Sequence, residues 1–242
     1  SPPSSPGSSA MQIRVLHLIE GAAQARGLAV IIDVFRAFSV APYVMAGGAS
    51  RIIPVADIQT AYRLKQAHPD YVLMGERDGR IQPGFDYGNS PYAVHRVDFR
   101  GRTVVQTTSA GTQGIVAALG SAETVLTGSF VNAGAVARFI RRRGPPILSL
   151  VCMGVFGRSP AQEDEACAEY LLAVLQGRPY DFAATVQALR AGRGSQFFDP
   201  AQAETFPPGD FDLSLDLNRF DFVLEAVHDP NDELPCLRRV DA

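Results

Sequence analysis

The ten residues Leu28 to Ala37, LAVIIDVFRA, decide the fold. The first half, Leu28 to Ile32, is a continuous apolar run, the pattern of a strand buried on both faces. The run stops at one acid, Asp33. A helical pattern follows over Arg36 to Gly48, with Pro42 as the residue able to kink it. A doubly covered strand that turns at once into a helix is the building unit of a parallel α/β sheet.

Working outward, the unit recurs. Met11 to Ile19 alternates like a strand on the N-terminal side. On the other side strand patterns fall at 51–55, 71–74, 103–107, 124–126 and 147–151. Helical patterns lie at 112–119, 132–143 and 162–176, and another follows Asp57, a capping residue, and ends near His68-Pro69. Ser90-Pro91 reads as an N-cap with proline at the first helical position. Beyond a helix over Asp181 to Ala191, Gly192 to Gly209 reads as loop. Phe211 to Leu217 and Asp221 to Val227 read as strands that lengthen the sheet in antiparallel sense. The expectation is one α/β domain over 11–242, its mixed, mostly parallel sheet covered on both faces.

Composition narrows the class. Hydrophobic residues at 46% and charged residues at 19% describe a globular chain. A net charge of -3 argues against a nucleic-acid partner, which calls for a basic face. The basic run Arg141 to Arg143 ends a predicted helix, where cations suit the dipole. No apolar run is long enough to span a bilayer, so no membrane partner is expected. Three widely spaced cysteines with no C-x-x-C pair fit a reducing cytoplasm. Ser1 to Ala10 is almost wholly Ser, Pro and Gly, without the basic start and apolar core of a signal peptide. It reads as a disordered leader or a remnant of expression.

In open α/β sheets ligands bind beyond the carboxyl ends of the strands. Those ends carry Asp33 with Arg36, Glu76 with Arg77, and the segments at 107–112 and 128–132. Asp33 is either a helix cap or a metal ligand or general base. Thr107-Thr108-Ser109-Ala110-Gly111-Thr112 is either an ordinary capped turn or an anion cradle of hydroxyls and free N–H groups. Gly128-Ser129-Phe130-Val131-Asn132 repeats that design. The glycine-punctuated loop from Gly75 to Pro91 bears Glu76, Arg77, Asp86, Asn89 and Ser90, all able to meet a cation or an oxyanion. Glu163 and Asp164 open a helix, where acids favour the dipole; they can also complete a carboxylate cluster with Asp33, of the hard oxygen kind that suits Mg²⁺. The histidines, His17, His68, His95 and His228, show no metal or triad spacing, and Cys152 reads as a buried strand residue.

Taken together, IIDVFRA, GERDGRIQPGFDYGNSP, TTSAGT, TGSFVNA and EDEACAEY resemble, in that order, the 2-phosphosulfolactate phosphatases. The resemblance runs from about Leu28 to the C-terminal strands, and the Gly75–Pro91 segment is its most specific part. It implies a three-layer α/β/α fold and a Mg²⁺-dependent phosphatase acting on 2-phospho-3-sulfolactate, a step toward coenzyme M. It also implies roles for Asp33, Arg36, Glu76, Arg77, Asp86, Asn89, Ser90, Thr107, Thr108, Thr112, Ser129, Asn132, Glu163 and Asp164. Phe35 and Phe38 stand where the family pattern has a Leu and a small hydroxyl residue, and Ser109-Ala110 replaces a more polar turn.

The expected partner is thus a small anionic phosphorylated substrate. Arg36 and Arg77 can fork onto two of its oxyanions and Arg158 can meet a third. Mg²⁺ is expected on some of Asp33, Glu76, Asp86, Glu163 and Asp164, and Ser109 and Gly111 on the phosphate. The nucleophile is a water or a carboxylate, with Asp33 as base in one case and phosphoryl acceptor in the other. Three rivals stay open: a phosphatase of another phosphorylated hydroxy acid, a phosphotransferase or nucleotide-binding enzyme, and a non-catalytic binder of anionic metabolites. Homo-oligomers are common among such enzymes; no sequence feature demonstrates one here.

Overall fold

The computed structural model describes residues 10–242; of the expected leader only Ala10 falls within them. In chain order the elements are β1 (Gln12–His17), α1 (Leu18–Ala23), β2 (Leu28–Ile32), α2 (Ala37–Ala46), β3 (Arg51–Pro54), α3 (Ile58–Ala67), β4 (Val72–Gly75) and α4 (Pro91–Val94). They continue with β5 (Thr103–Thr107), α5 (Gly111–Leu119), β6 (Thr124–Gly128), α6 (Ala133–Arg143), β7 (Ile147–Cys152), α7 (Gln162–Leu175), α8 (Phe182–Ala191), α9 (Pro208–Ser214), β8 (Phe222–Val227) and β9 (Cys236–Asp241). Short 3₁₀ turns occupy Phe130–Asn132, Arg193–Phe198 and Pro200–Gln202.

The strands form a mixed sheet ordered β1-β7-β2-β6-β8-β9-β3-β5-β4. Two parallel groups, β1-β7-β2-β6 and β3-β5-β4, flank the antiparallel hairpin β8-β9. Because β6 meets β8 and β3 meets β9 in antiparallel sense, the groups run in opposite ladder directions. Twist accumulates across the strands between them, and the loops after β2, β4 and β5 converge.

The alternation of β2 builds three layers. Ala29 and Ile31 pack with α1, α2 and α5 on one face, while Leu28, Val30 and Ile32 pack with α6 and α7 on the other. All five are buried, as the apolar run requires. A smaller cluster seats Ala61 and Leu64 of α3 on Ile53, Leu73 and Val105. Local chemistry sets the helix ends. Asp57 accepts from Gln59 N at 3.0 Å, and Ser90 accepts from Ala93 N ahead of Pro91. Gly144, left-handed at φ 55°, closes α6 behind its three arginines. Pro42 lies inside α2 without ending it. Among the described residues no helix is long and apolar enough to cross a membrane.

Four expectations are corrected. The strand predicted over Met11 to Ile19 ends at His17, and Leu18 starts α1. The strand predicted over Phe211 to Leu217 is helix α9: Pro208 at the first position and Asp210 in the first turn are helix-start signals that outweigh the apolar spacing. The stretch 192–209 is not plain loop, since it holds two 3₁₀ turns. The C-terminal strands do not lengthen the sheet at an edge; they fill its middle, paired with β9, which the alternation in Cys236–Asp241 had left unread.

Candidate active site

The loops after β2, β4 and β7, together with the 3₁₀ segment after α8, enclose a cavity of about 30 Å³, enough for about two water-sized bodies. Asp33, Arg36, Glu76, Asn89, Arg193 and Phe206 are among its walls. A larger hollow of about 670 Å³ shares Arg36, Gly79 and Asn89 with it and adds Arg80, Ser90 and Glu204.

Asp33 ends the buried strand and is itself 5% exposed. Burial, then the neighbouring Glu76 and Glu163, push its carboxyl up to about 7, against the pull of the Gly111 and Ala37 N–H groups. Gly111 is required here: a Cβ would sit 2.8 Å from both Asp33 Oδ2 and the Ala37 side chain. Glu76 is held by three protein donors, Ser109 N at 2.7 Å, Gly79 N at 2.8 Å and Ser109 Oγ at 2.9 Å. Gly75 before it has φ 144°, and a Cβ there would meet Thr107 O at 1.9 Å. The turn into Glu76 therefore needs glycine.

Arg36 lies 4% exposed over the Phe206 ring. Its Nη1 donates to Thr205 O at 2.8 Å and Asp210 Oδ2 at 3.0 Å, and its Nη2 donates to Gly79 O at 3.2 Å. Asp210 is fully buried and also accepts from Ser90 Oγ at 2.7 Å and Tyr92 N at 2.9 Å. Burial raises its carboxyl, and Arg36 and these donors pull the other way. Glu163 is 2% exposed and lies 3.8 Å from Arg193 Nε. Burial raises its carboxyl in turn, opposed by Arg193. Glu163 Oε2 and Asn89 Oδ1 are buried without a hydrogen-bond partner.

Several predicted residues do structural work elsewhere. Asp164 accepts from Val34 N at 2.9 Å and Gly154 N at 2.8 Å, tying the loops after β2 and β7 to α7. Burial raises its carboxyl well above the usual range, with Glu163 and Asp33 adding to the effect. Arg77 is turned away from the cavity: it donates to Glu76 O, Ala56 O and Thr107 Oγ1, each within 2.9 Å. Asp86 is not brought to the cavity; it is exposed, accepts from Leu73 N and faces Lys65. Arg158 is 76% exposed and pairs with Asp78 at 3.7 Å.

At 107–112 the hydroxyls bond within the turn itself, and α5 begins at Gly111 without a cap from its N-cap side chain. Thr108 N donates to Thr112 Oγ1 and Thr112 N to Thr108 Oγ1, so these hydroxyls serve the start of α5. Ser109 is engaged by Glu76. Ser129 Oγ meets Ser39 Oγ at 2.6 Å and Asn132 Nδ2 donates to Phe222 O, both residues fully buried. Thr112→Val is therefore expected to destabilise the fold by about 1–3 kcal/mol, as leaving the buried Thr108 N–H without its acceptor does, and to leave catalysis within threefold. Thermal melts and steady-state rates check this; a large rise in KM would restore the cradle.

Phe35 lines the cavity, its ring 4.9 Å from that of Phe197, whereas Phe38 is buried in the core. Arg193, Phe206 and Asp210 escaped the sequence reading. Arg193 alone carried a signal, a cation set between Gly192 and Gly194.

The family model described as 2-phosphosulpholactate phosphatase matches residues 14–197. A protein of Bacillus subtilis (strain 168) named probable 2-phosphosulfolactate phosphatase is 32% identical over 216 residues, covering 87% of this chain and 91% of its own. Proteins of the same name from Deinococcus radiodurans and Thermoplasma acidophilum are 36% and 31% identical, the former covering 73% of each chain and the latter 63% of this chain and 67% of its own. The match spans the strand–acid–arginine unit after β2, the Glu76 loop and the Arg193 segment, which line the cavity together with Phe206 beyond it, and the chain belongs to the 2-phosphosulpholactate phosphatase family.

Proposed function

We propose that this chain hydrolyses a small phosphorylated 2-hydroxy acid with the help of Mg²⁺, converting 2-phospho-3-sulfolactate and water into 3-sulfolactate and phosphate. One observation carries the reading: a buried cavity sets the carboxylates of Asp33 and Glu76 against the guanidinium groups of Arg36 and Arg193. Anionic substrate and divalent cation each find a counter-charge there. The name shared by the relatives supports the same substrate.

The donor set fits a hard cation. Asp33 is pushed up by burial and then by the like charges of Glu76 and Glu163, and Glu163 Oε2 and Asn89 Oδ1 lack partners inside the protein. Among the described residues no three of the expected acids come within 4.8 Å of one another. Mg²⁺ does not need three, since it is commonly held by one or two carboxylates and keeps several waters. Glu163 and Asn89, through those unpartnered oxygens, would hold it, which leaves Asp33 free to act as base. What the bound cation supplies is polarisation of the phosphoryl oxygens.

The remaining steps belong to the chain. Arg36 spends three of its five donors on protein acceptors, which leaves two for a substrate oxyanion. Arg193 faces the same cavity and serves a second. The larger hollow beside Arg36 and Asn89 takes the rest of the acid, with Arg80 at its edge. Asp33, poised near neutrality, accepts the proton of the attacking water. Glu76, fixed by Ser109 and Gly79, keeps the negative field that holds Asp33 there.

A second reading differs only in substrate. Arg77 is occupied by protein acceptors and Phe35, Phe197 and Phe206 line one wall, which favours an acid with less charge than a sulfonate brings. Phosphate release from phosphosulfolactate, phospholactate and p-nitrophenyl phosphate, each with Mg²⁺ and with EDTA, separates these readings. The expected result is metal-dependent release, fastest on phosphosulfolactate. Faster release from phospholactate would favour the second reading, and no release from any ester would sink both.

A further inference from the structure

The three side chains His17, Cys152 and Glu165 take no part in the cavity chemistry, and they are the one group of three His, Cys, Asp or Glu ligand atoms within 4.8 Å of one another among the described residues. They come from three elements. His17 and Cys152 are the last residues of β1 and β7 and are direct partners in that parallel ladder, so their side chains leave the same face of the sheet. Helix α7 covers that face, and Glu165 lies in its first turn. His17 Nε2 stands 2.9 Å from Glu165 Oε1.

We propose that His17, Cys152 and Glu165 form a binding site for a borderline-soft divalent cation of the zinc class, distinct from the phosphatase cavity. An imidazole nitrogen, a sulfur and a carboxylate oxygen are the donor types that zinc accepts, and three protein ligands leave a fourth tetrahedral position for water. Metal–ligand bonds of about 2.0–2.3 Å place tetrahedral ligands roughly 3.5 Å apart, so the His17–Glu165 pair opens slightly from 2.9 Å while Cys152, within 4.8 Å of both, closes on the ion. The entry path is open, since the His17 and Glu165 side chains are 46% and 37% exposed while Cys152 closes the floor at 1%. Burial, then the charges of Asp164 and Glu165, push the Cys152 thiol up, so the bound ion must draw off its proton, and the same acids favour a cation there.

On binding, the Cys152 S–H bond breaks, its proton leaves to solvent, and the sulfur electron pair forms the bond to the metal; no redox change is involved. The ion would clamp the first turn of α7 to β1 and β7. That turn carries Glu163 and Asp164, and Cys152 already donates to Asp164 O at 3.6 Å. Site and cavity thus share a helix but no ligand.

The test uses the full chain, stripped with EDTA and titrated with Co²⁺ as a spectroscopic stand-in and with Zn²⁺ in competition. One equivalent of Co²⁺ is expected to give tetrahedral visible bands and a near-ultraviolet thiolate-to-cobalt transition, both displaced by Zn²⁺. Cys152→Ser should remove the thiolate transition, while Cys236→Ser keeps it. His17→Ala and Glu165→Gln, at half-exposed positions that fold tolerantly, should weaken binding by at least the roughly 10–100-fold that loss of an outer-shell partner costs. Absence of a thiolate transition in the native chain overturns the proposal. So does a transition that survives both Cys152→Ser and His17→Ala. None of these readouts depends on phosphatase activity.

Discussion

Asp33→Asn is expected to cut phosphate release by about 10²–10⁴-fold, the range over which a positioned general base acts, and at the same time to stabilise the metal-free protein. The two effects have one origin. Asp33 sits buried beside Glu76 and Glu163, and its carboxyl is pushed from 3.8 up to about 7. Between those values the folded chain holds a proton that the unfolded chain has released. Stability then falls as pH rises, because the folded state binds more protons. The contribution is fully present below about pH 4 and is lost as pH climbs through about 7. Glu163 and Asp164, also raised by burial, act in the same direction.

In EDTA the parent chain should therefore lose a few kcal/mol of stability between pH 5 and pH 8, since each tenfold difference in proton affinity between the folded and unfolded chain is worth about 1.4 kcal/mol. Asp33→Asn should flatten much of that slope, because the amide keeps the shape and discards the charge. Saturating Mg²⁺ should flatten it in the parent. Thermal melts across that pH range, run with EDTA and with Mg²⁺, read both effects. A variant with full turnover would remove Asp33 from the chemistry, and a parent whose stability rises with pH in EDTA would contradict the raised carboxyl.

Asp210→Ala is expected to destabilise the fold by about 3–5 kcal/mol, the usual cost of stranding one member of a buried ion pair. Asp210 gathers Ser90 Oγ, Tyr92 N and Arg36 Nη1 while fully buried. Alanine leaves the Arg36 guanidinium, 4% exposed, with only the Thr205 and Gly79 carbonyls. At about 2–4 °C per kcal/mol for a chain of this size, Tm should drop by roughly 6–20 °C. Activity should fall as well, because Arg36 and Ser90 are both positioned by this carboxylate. Asp210→Asn should recover part of the stability by retaining an acceptor. A chemical denaturation curve for Asp210→Ala within about 1 kcal/mol of the parent would mean that the α9 segment does not hold Arg36.

Much of this was legible in the sequence because it is local. The apolar run at 28–32 specifies a doubly buried strand whatever surrounds it, since period and hydrophobicity are properties of neighbours in the chain. The caps at Asp57 and Ser90 and the cationic end of α6 follow for the same reason. So does the grouping of Asp33, Arg36 and Glu76 at strand ends. Tertiary structure decided what those side chains face. Arg77 and Asp86 have the chemistry of site residues, yet backbone carbonyls capture one and the Leu73 amide the other. Arg193 and Asp210 come from a stretch without clear periodicity and enter because α8 packs on α7 and α9 packs on α2 and α4. His17, Cys152 and Glu165 are far apart in sequence and meet through ladder register and helix packing. Composition and spacing determine which groups a chain carries and which elements bear them; partners are chosen by long-range packing, where burial and unsatisfied polar atoms set the energy.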